Sequence, residues 1–225
     1  MDTTPFLLLA FLAGCGQRAP DSASDDTGAD TDTDTDAGVC PPWSGIHGLG
    51  TTWAWDYDSQ GYVGSGTKTV TAFDEVSGAA TIALDLEISG GGQDMVVHQE
   101  ESAFCDPGGL WFTAVSVWYK GDGMDTSEAY YQFDAPALVL PWDLAVGVSW
   151  TTDRSGTVSA PDQPPSDCED VMGFTVEAAE TVTVPAGTWE ALRVVDTVGA
   201  NWTRWFALDT GLVQDNAYSL VAYTP

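Results

Sequence analysis

From Cys40 onward, apolar and polar residues alternate with a period of two. The pattern is clearest where Ile82, Leu84, Leu86 and Ile88 fall on one side and Thr81, Ala83, Asp85 and Glu87 on the other. Successive side chains of an extended chain point to opposite faces, so this spacing predicts a strand with one buried face. The same reading predicts strands over 51–58, 66–73, 95–104, 110–120, 129–133, 147–159, 173–184, 188–198, 201–207 and 212–221. Turn formers stand between them: Val76-Ser77-Gly78-Ala79, Gly90-Gly91-Gly92, Asp106-Pro107-Gly108-Gly109 and Gly121-Asp122-Gly123. Helical periodicity nowhere exceeds a turn or two. The expected fold is therefore mainly β: an antiparallel curved sheet, half-barrel or barrel-like. The Pro-rich stretches 136–146 and 160–170 read as loops. In Val184-Pro185-Ala186-Gly187-Thr188, Pro185 presets a turn's φ and Gly187 tolerates positive φ, which makes a hairpin corner.

The first forty residues follow a different pattern. Phe6-Leu7-Leu8-Leu9-Ala10-Phe11-Leu12-Ala13 is apolar but shorter than the about 20 residues a membrane span needs, and it reads as the core of an export signal. From Gln17 to Gly38 no large apolar residue occurs, and Asp and Thr alternate from Asp30 to Asp36. Such a tract cannot bury enough surface to fold, and its like charges extend it into a disordered acidic linker. An EF-hand loop counted from Asp32 would need glycine one place before Gly38 and glutamate where Trp43 stands, so a plain tether is the better reading. The chain thus divides into a signal peptide over 1–14, a linker over 15–38 and a single β domain over 39–225. The four residues Leu12-Ala13-Gly14-Cys15 resemble the lipobox of bacterial lipoproteins. That resemblance implies cleavage before Cys15, acylation of its thiol (palmitate among the chains), and anchoring to a membrane of the cell envelope. By the same resemblance, Gly16 after the cysteine implies sorting to the outer membrane, with the domain periplasmic or surface-exposed.

Charge narrows the range of partners. The chain carries 34 Asp and Glu against 6 Lys and Arg, a formal net charge of -28. Without the acids of the first 36 residues and Arg18, 26 acids and 5 bases remain, so the domain itself is acidic. This balance repels phosphate backbones and excludes nucleic acid as a partner. Ten Trp and 44% hydrophobic residues supply a substantial interior.

Chemistry-bearing motifs are scarce. No HExxH, no G-x-S-x-G elbow and no phosphate or dinucleotide loop occurs, so neither cofactor, metal site nor catalytic residue is assigned and the domain reads as non-enzymatic. The two histidines are His47, in a Gly-rich loop, and His98, whose neighbour two places on is Glu100. The pair could serve as acid and base or simply line the polar face of a strand. Trp43, Trp53, Trp55, Trp111 and Trp118 could form a sugar-stacking platform beside paired carboxylates, or fill the core. With Cys15 lipidated, Cys40, Cys105 and Cys168 allow three single bridges. Cys105 with Cys168 is preferred because both lie inside the domain beside turn residues, while Cys40 stands at the linker junction. No short C-x-x-C spacing starts a zinc site.

Two further stretches, VTVPAGTWEALRV over 182–194 and WFALDTGLV over 205–213, resemble motifs of exported bacterial proteins of unknown function. The resemblance implies curved antiparallel sheets similar to the carriers of the lipoprotein-localisation pathway, and supports a fold better than an activity. Three functions stay open: binding an apolar ligand such as an acyl chain or an envelope protein segment, a structural or adhesive module with a filled core whose acidic surface engages a protein partner or cations, and carbohydrate binding or processing. A cavity lined by Leu84, Leu86, Ile88, Val115 or Val117 would favour the first, a solid interior the second, and exposed Trp beside carboxylates the third.

Overall fold

The computed structural model describes residues 40–121, 127–161, 163–198 and 202–225. The expectations for the leader, Cys15 and the acidic linker lie outside these residues, as do those for Asp122, Gly123 and Asn201. Fourteen strands follow a 3-10 turn at Pro42–Ser44: β1 Thr52–Ser59, β2 Tyr62–Phe73, β3 Ala79–Gly90, β4 Gln93–Asp106, β5 Gly109–Gly121, β6 Ser127–Pro141, β7 Ser149–Asp153, β8 Gly156–Ala160, β9 Gln163–Cys168, β10 Val171–Val184, β11 Gly187–Asp196, β12 Thr203–Ala207, β13 Gly211–Asp215 and β14 Tyr218–Thr224. No α-helix occurs among the described residues, and every strand pairing is antiparallel. The expected mainly β, curved antiparallel fold is the one observed.

The strands form one sheet in the order β7-β10-β11-β12-β13-β14-β1-β2-β3-β4-β5-β6-β8-β9. Two meanders, β1 to β6 and β10 to β14, join where β14 pairs β1. The two ends of this order are tied together by the chain itself. β7 pairs β10, whereas β8, only Arg154 and Ser155 later, pairs β6, and β9 returns through Glu169 and Asp170 to β10. Strands β7 to β10 therefore make one long hairpin whose tip crosses to the opposite edge. At the crossing Arg154 N–H donates to the Asp170 carbonyl at 2.7 Å, the two side chains form an ion pair, and Asp134 N–H donates to the Ser155 carbonyl at 3.0 Å. Beyond that point β6 and β7 run near each other without a ladder. The sheet is consequently not closed into a barrel and keeps a slit between 134–141 and 149–153.

Several boundaries differ from the sequence expectation, each for a reason of partner choice. The strand expected over 147–159 is two, because the chain changes partner at Arg154. The strand expected over 212–221 is also two, because Asp215 Oδ1 accepts from the Ala217 and Tyr218 N–H groups and turns the chain. The expected loop over 136–146 is strand as far as Pro141. Between the pairs Ala114 to Gln132 and Phe112 to Ala137, four residues of β6 face Thr113 alone, and Pro136 sits in that bulge, where its missing N–H leaves no ladder bond unmade. The expected loop over 160–170 contains β9, where Pro164 and Pro165 are tolerated because this is an edge strand. The corner at Pro185-Ala186 is as expected, with Val184 paired to Gly187.

One face of the sheet encloses the core. Trp53, Trp55 and Tyr57 of β1 point inward, and the positions opposite the last two are Gly66 and Gly64. On the far side of those glycines stand Leu86 and Ile88. A Cβ at Gly64 would lie 2.0 Å from the Glu87 carbonyl oxygen, and one at Gly66 3.0 Å from Leu86 Cδ1. Small residues thus leave room for the large neighbours on both sides. Leu86, Val70, Val213 and Leu220 are fully buried. Trp53 Nε1–H donates to the Thr210 carbonyl at 2.7 Å, satisfying the one polar atom of its ring. Gly211, from the second sequence motif, has φ +82°, and a Cβ there would meet the Ser44 carbonyl oxygen at 2.5 Å.

Candidate functional site

Polar side chains enter the interior at several places among the described residues. At one, Lys68 Nζ stands 2.7 Å from Glu101 Oε2, and Gln99 Nε2 donates to Glu101 Oε1 at 2.8 Å, which compensates a carboxylate that is only 4% exposed. At another, Arg204 of β12 lies directly between Val194 and Asp215 in the ladder and 5.6 Å over the Phe174 ring. Desolvation pushes the Asp215 carboxyl above its usual range, although the Ala217 and Tyr218 N–H groups and Arg204 act in the other direction. Desolvation likewise lowers the Arg204 guanidinium, with Asp215 opposing it. Burial raises the Tyr218 hydroxyl, and to a smaller degree that of Tyr57, whose ring meets it edge-on at 5.1 Å.

Behind the slit lies a cavity of about 40 Å³ walled by Phe112, Val115, Phe133, Leu138, Met172 and Phe174, with Thr152, Arg154, Asp170 and Arg204 as its polar members. Thr152 is buried and its Oγ1 has no hydrogen-bond partner. The cavity has room for a few water molecules at most. Pockets for small organic ligands run to about 300–1,000 Å³. Of the five aliphatic side chains named as a possible cavity lining, Val115 alone borders it. Leu86, Ile88 and Val117 are packed in the core, and Leu84 is half-buried outside this cavity.

The expected bridge between Cys105 and Cys168 is not formed. Cys105 is bonded to Cys40, with Cα atoms 4.9 Å apart. Cys40 is not at a loose junction but already inside the domain, about as buried as the core residues around it and continuous with the turn at Pro42–Ser44. Cys168 belongs to β9 on the far edge of the sheet, opposite Gly156, where it helps to wall the cavity.

On the outer face, His98 stands opposite Asp85 on β3 and Trp118 on β5. Its Nδ1 is 2.7 Å from Asp85 Oδ1 and its Nε2 3.8 Å from Glu100 Oε1, so both ring nitrogens face carboxylates. The sequence pairing of His98 with Glu100 is thus a real neighbourhood on the wet side of the sheet. His47 lies elsewhere, its Nε2 at 2.9 Å from the Asp209 carbonyl oxygen. Trp53 and Trp55 are core residues and Trp43 packs against the core, whereas Trp111 and Trp118 do neither. Strict alternation does not reveal this, since Leu110 and Phe112 are out of phase with Val115 and Val117; the register shifts around Thr113 bring all four inward and both Trp residues to the other face. Among the described residues, no group of three His, Cys, Asp or Glu is placed to hold a metal ion. No family model matches the chain, and neither the curated proteins nor the solved structures contain a significant match.

Proposed function

We propose that the protein is an envelope lipoprotein, acylated at Cys15 and held off the outer membrane by its acidic linker, whose domain is a non-catalytic structural or adhesive module. The observation that carries the module reading is the packed core: buried side chains from across the sheet form one cluster, and the cavity beside them, at about 40 Å³, is far smaller than a pocket for an organic ligand. A bridge between Cys40 and Cys105 suits an oxidising compartment outside the cytoplasm.

A second reading, uptake of an apolar ligand, is favoured by one feature, the apolar cavity behind the unpaired edges of β6 and β7. That role requires the slit to widen. Anchoring is tested by metabolic labelling with an alkyne analogue of palmitate. Label and membrane fractionation should both depend on Cys15 and be lost in Cys15→Ser; an unlabelled wild-type chain overturns the lipoprotein assignment.

A further inference from the structure

The outer face of β4, β5 and β6 carries aromatic side chains that lie outside the core. Phe104, Trp111, Trp118 and Tyr130 neither belong to the core nor pack against it. Tyr130 is 45% exposed. Trp118 sits in a row that crosses four strands in register, Asp85 to His98 to Trp118 to Glu128. Direct neighbours in such a row are about 5 Å apart at Cβ, so the indole is flanked by a histidine and a carboxylate. The adjacent row holds Glu100, Ser116 and Tyr130. The Tyr130 hydroxyl donates to Gln132 Oε1 at 2.8 Å, and Gln132 Nε2 donates to the Thr113 carbonyl at 3.0 Å, which fixes the ring before any ligand arrives.

Further along β5, Phe104 and Trp111 stack, with ring centroids 6.3 Å apart and planes 8° from parallel. Trp111 is held there by donating Nε1–H to Asp106 Oδ1 at 2.7 Å. The seven steps from Trp111 to Trp118 span about 23 Å at most. Beyond Trp118 the face runs into an open groove of about 420 Å³ bordered by Glu87, Asp94, Val96 and Lys120.

We propose that this face binds a linear, uncharged oligosaccharide laid along β5, with sugar rings against Trp118 and against the Phe104–Trp111 stack. A pyranose ring offers an apolar C–H face and a rim of hydroxyls. The indole takes the first, and Asp85, Glu100, Glu128 and Gln132 accept from or donate to the second. The four carboxylates Asp85, Glu87, Glu100 and Glu128 on this face exclude polyanionic glycans by repulsion. The proposal rests on the module reading above and names its partner.

The test is affinity gel electrophoresis of the full chain in gels containing neutral polysaccharides (β-1,4-glucan, xylan, galactomannan, α-glucan, chitin glycol) or the polyanions alginate and polygalacturonate. Titration of the retarding sugar from disaccharide to hexasaccharide by tryptophan fluorescence follows. Expected are retardation by a neutral polymer and none by the polyanions, affinity rising with chain length, and a loss of about tenfold or more in Trp118→Ala, the usual consequence of removing a central aromatic anchor. Glu128→Gln should weaken binding less, and both variants should keep the wild-type melting temperature. Retardation by none of the neutral polymers overturns the proposal. So does retardation that Trp118→Ala leaves intact, or that added polylysine abolishes, which would mark a contact for a basic protein. A lower melting temperature of Trp118→Ala with unchanged binding would assign the residue to the fold. Failure on these counts leaves the anchored module standing, because that reading fails separately, through absence of acylation or a co-purified lipid.

Discussion

Removing the bridge between Cys40 and Cys105, as Cys40→Ala with Cys105→Ala, should cost about 4 kcal/mol. The two cysteines are 65 residues apart. In the chain-entropy model a closed loop of that size restricts the unfolded ensemble by about 15 cal/mol/K, or about 4.3 kcal/mol at room temperature. The folded state should nonetheless survive. Residues 40–46 remain attached by the Asp209 N–H bond to the Pro42 carbonyl at 3.1 Å, and the Tyr223 hydroxyl still donates to the Gly45 carbonyl at 2.7 Å. Urea unfolding followed by tryptophan fluorescence should show a lower midpoint and a steeper dependence on denaturant, because the unlinked chain expands further. At about 2–4 °C per kcal/mol for a domain of this size, the melting temperature should fall by roughly 8–16 °C. A change below about 1 kcal/mol with an unaltered slope would refute the reasoning, as would a non-reduced digest that links Cys105 to Cys168.

Three other outcomes are expected. Gly45→Ala should destabilise by about 2–4 kcal/mol in urea unfolding, because φ is +68° and the new Cβ would lie 2.2 Å from the Thr210 carbonyl oxygen; an unchanged midpoint contradicts the close approach. Trp53→Phe should cost about 1–3 kcal/mol by orphaning the buried Thr210 carbonyl, and a neutral result by calorimetry would mean that water replaces the indole. Asp215→Asn keeps an acceptor for the Ala217 and Tyr218 N–H groups while removing a buried charge. Since the Asp215 carboxyl titrates above 3.8 in the fold, its stabilising contribution is complete below that pH and is lost as pH rises through the raised value. The melting temperature of the variant relative to wild type should therefore grow as pH rises above 3.8, and a constant difference would count against the desolvation of Asp215.

Alternation made most of the fold legible because a half-buried strand imposes it directly. The sequence positions of β1, β3, β4, β5, β10 and β11 follow from period two and the turn formers between them. What alternation cannot carry is the choice of partner. Residues on either side of Arg154 look like one strand, yet they pair with β10 and then with β6, and the ion pair to Asp170 that marks the change joins positions 16 residues apart. The Lys68–Glu101 pair was hidden for the same reason, since only the register of β2, β3 and β4 places Gln99 in the row of Lys68 and Glu101 one step along the same face. The cysteine pairing failed on the assumption that Cys40, standing at the linker junction, is held too loosely to pair. Nothing in the composition of Cys40-Pro41-Pro42 shows that this first stretch of the domain is already packed into the core. The outer-face tryptophans were hidden as well: Trp111 and Trp118 are seven positions apart, so strict alternation sets them on opposite faces, and only the bulge around Thr113 turns both outward.

The filled interior is most directly tested by native mass spectrometry, with lipid extraction, on the chain from Gly38 onward purified from bacterial periplasm. The account predicts the mass of the polypeptide alone, with the Cys40–Cys105 bridge intact and no lipid in the extract. A bound species of lipid mass, lost on extraction, would contradict it and would mean that the slit between β6 and β7 opens onto a far larger cavity.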